Sequence, residues 1–183
     1  MLPNMNHNDH VNLIKPAFID EKSNASFADL GAGSGAFTLA LRELIGESAS
    51  IYAIDKDKSS LRELENSYAA RFHSTSNLTV MQADFSKQLN LPPLDGILMA
   101  NSLHFFKDIV KILKHIKSFL KQNGKLIVVE YNVDKGNMWV PYPFTFESFG
   151  RLAKEAGFAE PQLLATHSSR FLDGFYSALT YSL

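Results

Sequence analysis

From residue 27 onward, short apolar runs alternate with amphipathic stretches. Five runs, 27–30, 50–54, 78–82, 96–100 and 125–131, read as strands. Several are continuously apolar, which predicts strands buried on both faces. Between them the apolar spacing lengthens to that of helices. Phe37, Leu41, Leu44 and Ile45 share one helical face, with Gly46 as a stop. Leu61, Leu64, Tyr68 and Phe72 form the next stripe. Ile109, Leu113, Ile116 and Leu120 form a third, ending at Asn123-Gly124. This alternation predicts an α/β fold: a doubly wound parallel sheet with helices on both faces. The rhythm changes in the last third. Residues 132–143 hold glycine, tryptophan and two prolines and read as an irregular loop. A helix is predicted over 145–156, stopped by Gly157. Residues 161–167 and 175–183 read as strands joined by a turn at Asp173-Gly174, and so short a connection favours antiparallel pairing.

At 183 residues the chain fits one domain with a sizeable core. A net charge of −1 gives no electrostatic reason to expect a polyanionic partner. No apolar stretch approaches a membrane-spanning length, and the start Met1-Leu2-Pro3-Asn4 lacks a signal pattern. The absence of cysteine excludes disulfides, thiolate metal sites and a cysteine nucleophile. A cytoplasmic enzyme fits these bounds.

The chemistry begins at Phe27-Ala28-Asp29-Leu30-Gly31-Ala32-Gly33-Ser34-Gly35-Ala36-Phe37, a strand, a glycine-rich turn and a helix start. Glycines on alternate positions let a ligand approach the backbone. Such a turn at a helix N-terminus is a nucleotide-cofactor site. Gly31-x-Gly33-x-x-Ala36 fits the dinucleotide pattern with alanine in third place. The same residues also read Asp29-x-Gly31-x-Gly33-x-Gly35. A carboxylate beside the turn repels a pyrophosphate and suits a ligand that is cationic on that side. Here the chain resembles the class I S-adenosylmethionine-dependent methyltransferases, whose first motif has this acid-and-glycine form. The resemblance runs from about residue 27 to the last residue. It implies a seven-stranded sheet in the order 3-2-1-4-5-7-6 with the last strand antiparallel. The implied cofactor is S-adenosylmethionine, with S-adenosylhomocysteine as product and no metal.

Acids recur at the strand ends, where open parallel sheets bind ligands. Asp55 follows the second strand, 24 residues after Gly31, and can accept hydrogen bonds from ribose hydroxyls. That role fits a dinucleotide equally well. Lys56 beside it faces solvent or flanks the adenine. Asp84 and Phe85 follow the third strand; in the family such a pair contacts the adenine. Asn101 follows the fourth strand and is a candidate for cofactor or acceptor contact. With Asp29, Gly31, Ala32, Gly33 and Gly35, these residues make up the expected cofactor site. Leu103-His104-Phe105 resembles the loop that small-molecule methyltransferases carry here. His104 is a candidate general base, and a wall or structural role is the alternative. Enzymes methylating amino groups of nucleic-acid bases carry a Pro-Pro pair at the place of Ser102-Leu103, so nucleic acid is a disfavoured partner.

Methyl transfer from a sulfonium is an in-line displacement that needs alignment and dryness more than bond-making groups. The expected organisation is a single domain: residues 1–26 as a segment or lid, 27–131 as the cofactor half, and 132–183 as the acceptor side. With 26 residues ahead of Phe27, the acceptor pocket is expected from three short pieces. These are residues 10–18, 101–106, and the loop 132–146 with Trp139, Tyr142 and Phe144. Tyr142, Tyr131 and His104 are the expected acceptor contacts, with Tyr142 and His104 as catalytic candidates. Glu130 could serve there or simply end its strand. His7 and His10 sit three apart but read as part of a solvated segment. The expected partner is a small organic acceptor, with no membrane. Two rival readings stand: an NAD(P)-dependent oxidoreductase, and a non-catalytic cofactor-binding partner of another protein.

Overall fold

The computed structural model describes residues 5–19, 24–168, 172 and 174–183. Seven strands form one sheet in the order β3-β2-β1-β4-β5-β7-β6. They are β1 (Ser26–Leu30), β2 (Ser50–Asp55), β3 (Leu78–Gln82), β4 (Leu94–Ala100), β5 (Leu120–Tyr131), β6 (Gln162–His167) and β7 (Phe175–Tyr181). The β1–β2, β1–β4, β2–β3 and β4–β5 pairs are parallel, and β7 is antiparallel to both β5 and β6. Among the described residues, five helices cover the faces: α1 (His7–Ile14), α2 (Ala36–Ile45), α3 (Lys58–Phe72), α4 (Ile109–Lys117) and α5 (Phe146–Glu155). The sheet order and the inverted last strand are those implied by the family resemblance. Asp173 of the expected turn lies outside the described residues.

The continuous apolar runs have the cause expected of them. Along β5, Leu126 and Val128 face the core that takes in Ile112, Leu113 and Phe149 from α4 and α5. Ile127 and Val129 face the opposite core, built with Phe37 and Leu41 of α2 and Leu13 and Ile14 of α1. Both faces of the 126–129 run are therefore dry, and no polar position interrupts it.

Three boundaries differ from the apolar pattern. The helix of the third apolar stripe, α4, ends at Lys117, not beyond Leu120, because Ser118 closes the turn with its N–H and Oγ on the His115 carbonyl. Leu120 keeps helical spacing because it packs on the same core, yet it opens β5 opposite Leu94. Asn123-Gly124, read as a helix stop, lies inside β5, where Asn123 takes a positive φ of 59° and donates to the Ser182 carbonyl. The N-terminal segment is also not simply solvated. Asn6 and Asp9 form a reciprocal capping box that starts α1, and Val11, Leu13 and Ile14 are buried. The Ser177 hydroxyl of β7 donates to the Leu13 carbonyl, which ties α1 to the far end of the chain.

Gly96 in β4 pairs with Phe27 of β1. A Cβ there would collide with Phe27 Cε1 and lie 2.6 Å from Cδ1, and Phe27 is fully buried with no room to yield. Gly96→Ala is expected to destabilise the fold by about 3 kcal/mol, the upper end for overpacking. A chemical-denaturation midpoint unchanged from wild type would refute this packing.

Candidate active site

The strands β1, β4 and β5 end together, and a cavity of about 440 Å³ opens over them. That volume lies in the range of small-molecule sites. The glycine turn forms its floor. Gly31 and Ala32 donate their amides to the Ile54 carbonyl at 2.8 and 3.0 Å, which folds the turn back over β2. The three glycines have different duties. A Cβ on Gly31 would lie 2.6 Å from Ser102 Cβ, and one on Gly35 2.6 Å from Leu64 Cγ. These two serve close packing of backbone on neighbours. A Cβ on Gly33 would meet nothing within 4 Å among the described residues, and its φ is +52°. Gly33 alone keeps its open space for a ligand. Gly35, in the left-handed region, is the N-cap of α2, and Ser34 does not cap that helix.

Asp29 lies under the turn, 1% exposed, and accepts a 2.6 Å hydrogen bond from the Thr38 hydroxyl of α2. Burial pushes its carboxyl up to about 7; the Thr38 bond opposes the rise and the charge of Asp55 adds to it. At the end of β4, Asn101 takes a φ of 53° and donates its amide N–H to the Val129 carbonyl. Its buried Oδ1 has no hydrogen-bond partner among the described residues. A short 3₁₀ turn, Leu103–Phe105, then brings His104 into the cavity wall. His104 is 2% exposed, and its Nδ1 lies 2.7 Å from Oε2 of the fully buried Glu130. Tyr131 also lines the cavity; burial, reinforced by Glu130, pushes its hydroxyl up to about 12, so it stays a phenol.

The cavity thus brings together Asp29, Gly31, Ala32, Gly33, Asn101, His104 and Tyr131 of the residues singled out from sequence. Gly35 lies in an adjoining shallow pocket with Ser34 and His10. Five others stand outside the cavity lining. Asp55 Oδ2 accepts the Gly33 amide at 2.8 Å, and Oδ1 accepts the Asp57 amide at 2.9 Å. It therefore supports the turn, while each oxygen retains a second lone pair. Lys56 pairs with Asp84 across 3.2 Å. Burial pushes the Asp84 carboxyl up, but two hydrogen bonds from Ser86 together with Lys56 outweigh it and hold it below the usual range. Phe85 is buried in the core against Phe106, with ring centroids 5.4 Å apart. Tyr142 is half-exposed and outside the cavity; its backbone N–H donates to the His104 carbonyl at 2.9 Å. It holds the His104 turn by its main chain.

Several wall residues were not legible as such. Met5 enters from the start of the chain and Phe175 from β7, whereas His10 begins the 10–18 piece expected at the pocket. The capping box at Asn6 was the available signal for Met5. Nothing local marks Phe175, whose place depends on strand order. Trp139 lines the mouth while 73% exposed, so it rims the cavity and does not fill it.

The residues fit a nucleoside-type cofactor with an amino-acid arm. Gly33 leaves a cradle that a Cβ would enter, Asn101 holds a buried acceptor without a partner among the described residues, and Asp29 supplies an acid for a cationic group. Among the described residues, no group of three or more His, Asp or Glu is placed to hold a metal ion. No helix among them is long and apolar enough to cross a membrane.

Comparison with known proteins agrees with this geometry. No curated protein sequence matches the chain. Among solved structures, a protein from Nostoc punctiforme assigned as an O-methyltransferase superposes with a TM-score of 0.73 at 23% identity. That match covers 94% of this chain and 55% of the other, so this chain spans about half of its length. A SAM-dependent methyltransferase from Aquifex aeolicus gives 0.70 at 17% identity, covering 98% of this chain and 100% of that one. The magnesium protoporphyrin IX methyltransferase of Synechocystis, solved with bound SAM, gives 0.73 at 15% identity, covering 97% and 80%. At these identities the likeness is one of fold. The family described as "Methyltransferase domain" matches residues 21–157, most of the sequence. With its sheet order, its glycine turn and this match, the chain belongs to the class I S-adenosylmethionine-dependent methyltransferases.

Proposed function

We propose that the chain is a cytoplasmic enzyme that methylates a small organic acceptor. The single observation that carries this reading is one cavity shared by two kinds of residue. Its floor is the acid-and-glycine turn with Asn101, and its outer wall is His104, Phe105 and Trp139. When bound, S-adenosylmethionine supplies a methyl group on a sulfonium whose departure leaves a neutral thioether. Asp29, Gly31, Ala32, Gly33 and Asn101 would hold it. Asp55 would take the ribose hydroxyls through its spare lone pairs, and Asp84 with Phe85 and Lys56 would flank the adenine end. The aromatic rim of Phe105, Trp139 and Phe175 excludes water and orients an apolar acceptor. No Lys or Arg lines the cavity among the described residues, which argues against phosphate-bearing polymers as acceptors.

The test is calorimetric titration with S-adenosylmethionine, S-adenosylhomocysteine and NADH, followed by an acceptor screen with a labelled methyl group. Binding of the first two alone supports the reading; binding of NADH alone overturns it in favour of an oxidoreductase. A saturated cofactor site with no methyl transfer to any small molecule would instead support a non-catalytic partner. Asp55→Ala is expected to weaken S-adenosylmethionine by about 1.5–3 kcal/mol, the range for hydrogen bonds to a charged group. Unchanged affinity would remove Asp55 from the site.

A further inference from the structure

We propose that His104 and Glu130 form a proton-accepting pair, and that the acceptor is a neutral molecule with a weakly acidic hydroxyl, such as a phenol or enol. The inference rests on the methyltransferase reading and deepens it.

Glu130 sits at the end of β5 with no exposed surface, and its two oxygens do different work. Oε1 accepts the backbone N–H groups of Leu103 and His104 at 3.0 and 3.3 Å, which fixes the turn. Oε2 takes the His104 ring at Nδ1, 2.7 Å away. An ionised carboxylate can only accept, so Nδ1 carries the hydrogen and Nε2 carries the lone pair. Nε2 makes no hydrogen bond among the described residues, and the ring lines the cavity. The ring is held against Phe105 at 4.3 Å and Tyr131 at 6.0 Å between centroids. The Tyr142 amide holds the His104 carbonyl from the other side. An imidazole fixed at one nitrogen by a buried carboxylate, with the other nitrogen open to a cavity, is built to take a proton.

The proton step balances within these groups. The acceptor O–H bond breaks, its proton forms the Nε2–H bond, and the electron pair stays on oxygen, which becomes the nucleophile. Glu130 offsets the charge of the imidazolium that results. The acceptor class follows from the remaining lining. Asp29 is the one carboxylate of the described wall, and no Lys or Arg balances a further anion. A carboxylate or phosphate acceptor would be desolvated there without a countercharge. A neutral hydroxyl on a flat apolar body meets the aromatic walls and needs the base.

Nitrogen-15 NMR of histidine-labelled full chain at alkaline pH reads the tautomer directly. The expected result is a neutral His104 protonated at Nδ1. In Glu130→Gln the amide NH2 would donate to Nδ1 and force the hydrogen onto Nε2, so the tautomer is expected to reverse. With S-adenosylhomocysteine bound, 4-nitrophenol is the acceptor probe. Wild type is expected to bind it as the coloured phenolate at a pH where the free probe is mostly protonated. His104→Asn is expected to lose that colour; it serves as the second variant should Glu130→Gln fail to fold. A wild-type His104 protonated at Nε2 or charged, an unchanged tautomer in Glu130→Gln, or a probe that stays outside or stays protonated overturns the proposal. Calorimetry with S-adenosylmethionine on the same samples separates the two levels. Absent cofactor binding sinks the methyltransferase reading, whereas normal binding with the wrong tautomer sinks the proton-accepting pair alone.

Discussion

Gly33→Val is expected to abolish S-adenosylmethionine binding in a chain that still folds. The new side chain meets no protein atom within 4 Å among the described residues, so it projects into the cavity and displaces the ligand. Backbone strain at a φ of +52° adds roughly 1–2 kcal/mol against folding, a fraction of the about 5–15 kcal/mol that holds a domain together. The affinity loss should be at least about 3 kcal/mol, more than a hundredfold. Gly31→Val and Gly35→Val are the contrasting controls. Their Cβ atoms would strike Ser102 and Leu64, so they should lower the melting temperature sharply, where Gly33→Val lowers it modestly. Cofactor binding at normal strength by Gly33→Val would undo the assignment of the turn.

The second large effect is in pH. Burial lifts the free Asp29 carboxyl to about 7, against Thr38 and with Asp55. On the proposed reading it faces the cationic end of the cofactor, which favours the ionised acid. Below pH 7 a bound proton must leave before the ligand enters, so affinity should fall about tenfold per pH unit as the pH drops, and level off above 7. Asp29→Asn should flatten that profile. Folding shows the opposite slope. A carboxyl with its folded value raised from 3.8 to about 7 binds a proton in the native state that the unfolded chain has released. Stability is therefore fully present below about pH 4 and is lost as the pH rises to 7, by roughly 4 kcal/mol. Calorimetry across about pH 5.5–8.5 checks the binding profile. Affinity that stays flat through pH 7 would show that Asp29 does not titrate against the ligand.

Elements with strong periodicity were legible in the sequence, and so was the turn that starts the site. The apolar runs of β1, β2, β4 and the 126–129 part of β5 are buried on both sheet faces, the edge strand β3 is partly exposed, and helical stripes mark the covers. What pattern could not give was phase at a junction. Leu120 carries on the spacing of α4 and still belongs to β5, because helix and strand bury it in one core. Local order could not reveal the Glu130–His104 bond either. Those residues stand 26 apart and meet because β4 and β5 run side by side. Tyr142 shows the converse: an aromatic in a proline-rich loop looks like a pocket residue, yet it contributes a backbone amide.

The bond from Ser177 to Leu13 spans 164 residues of chain and sets the order in which the molecule can be completed. Translation at about 5–20 residues per second separates the two partners by roughly 10–30 s. Throughout that interval α1 and α2 have emerged, but β7, which closes over α1, has not. Val11, Leu13 and Ile14 then have the α2 side of their core and lack the β7 side. Met5 and His10 reach the cavity wall only when α1 docks, and Phe175 completes it from β7 itself. A nascent chain can assemble the glycine turn early, yet it closes its reaction chamber only after β7 has left the ribosome.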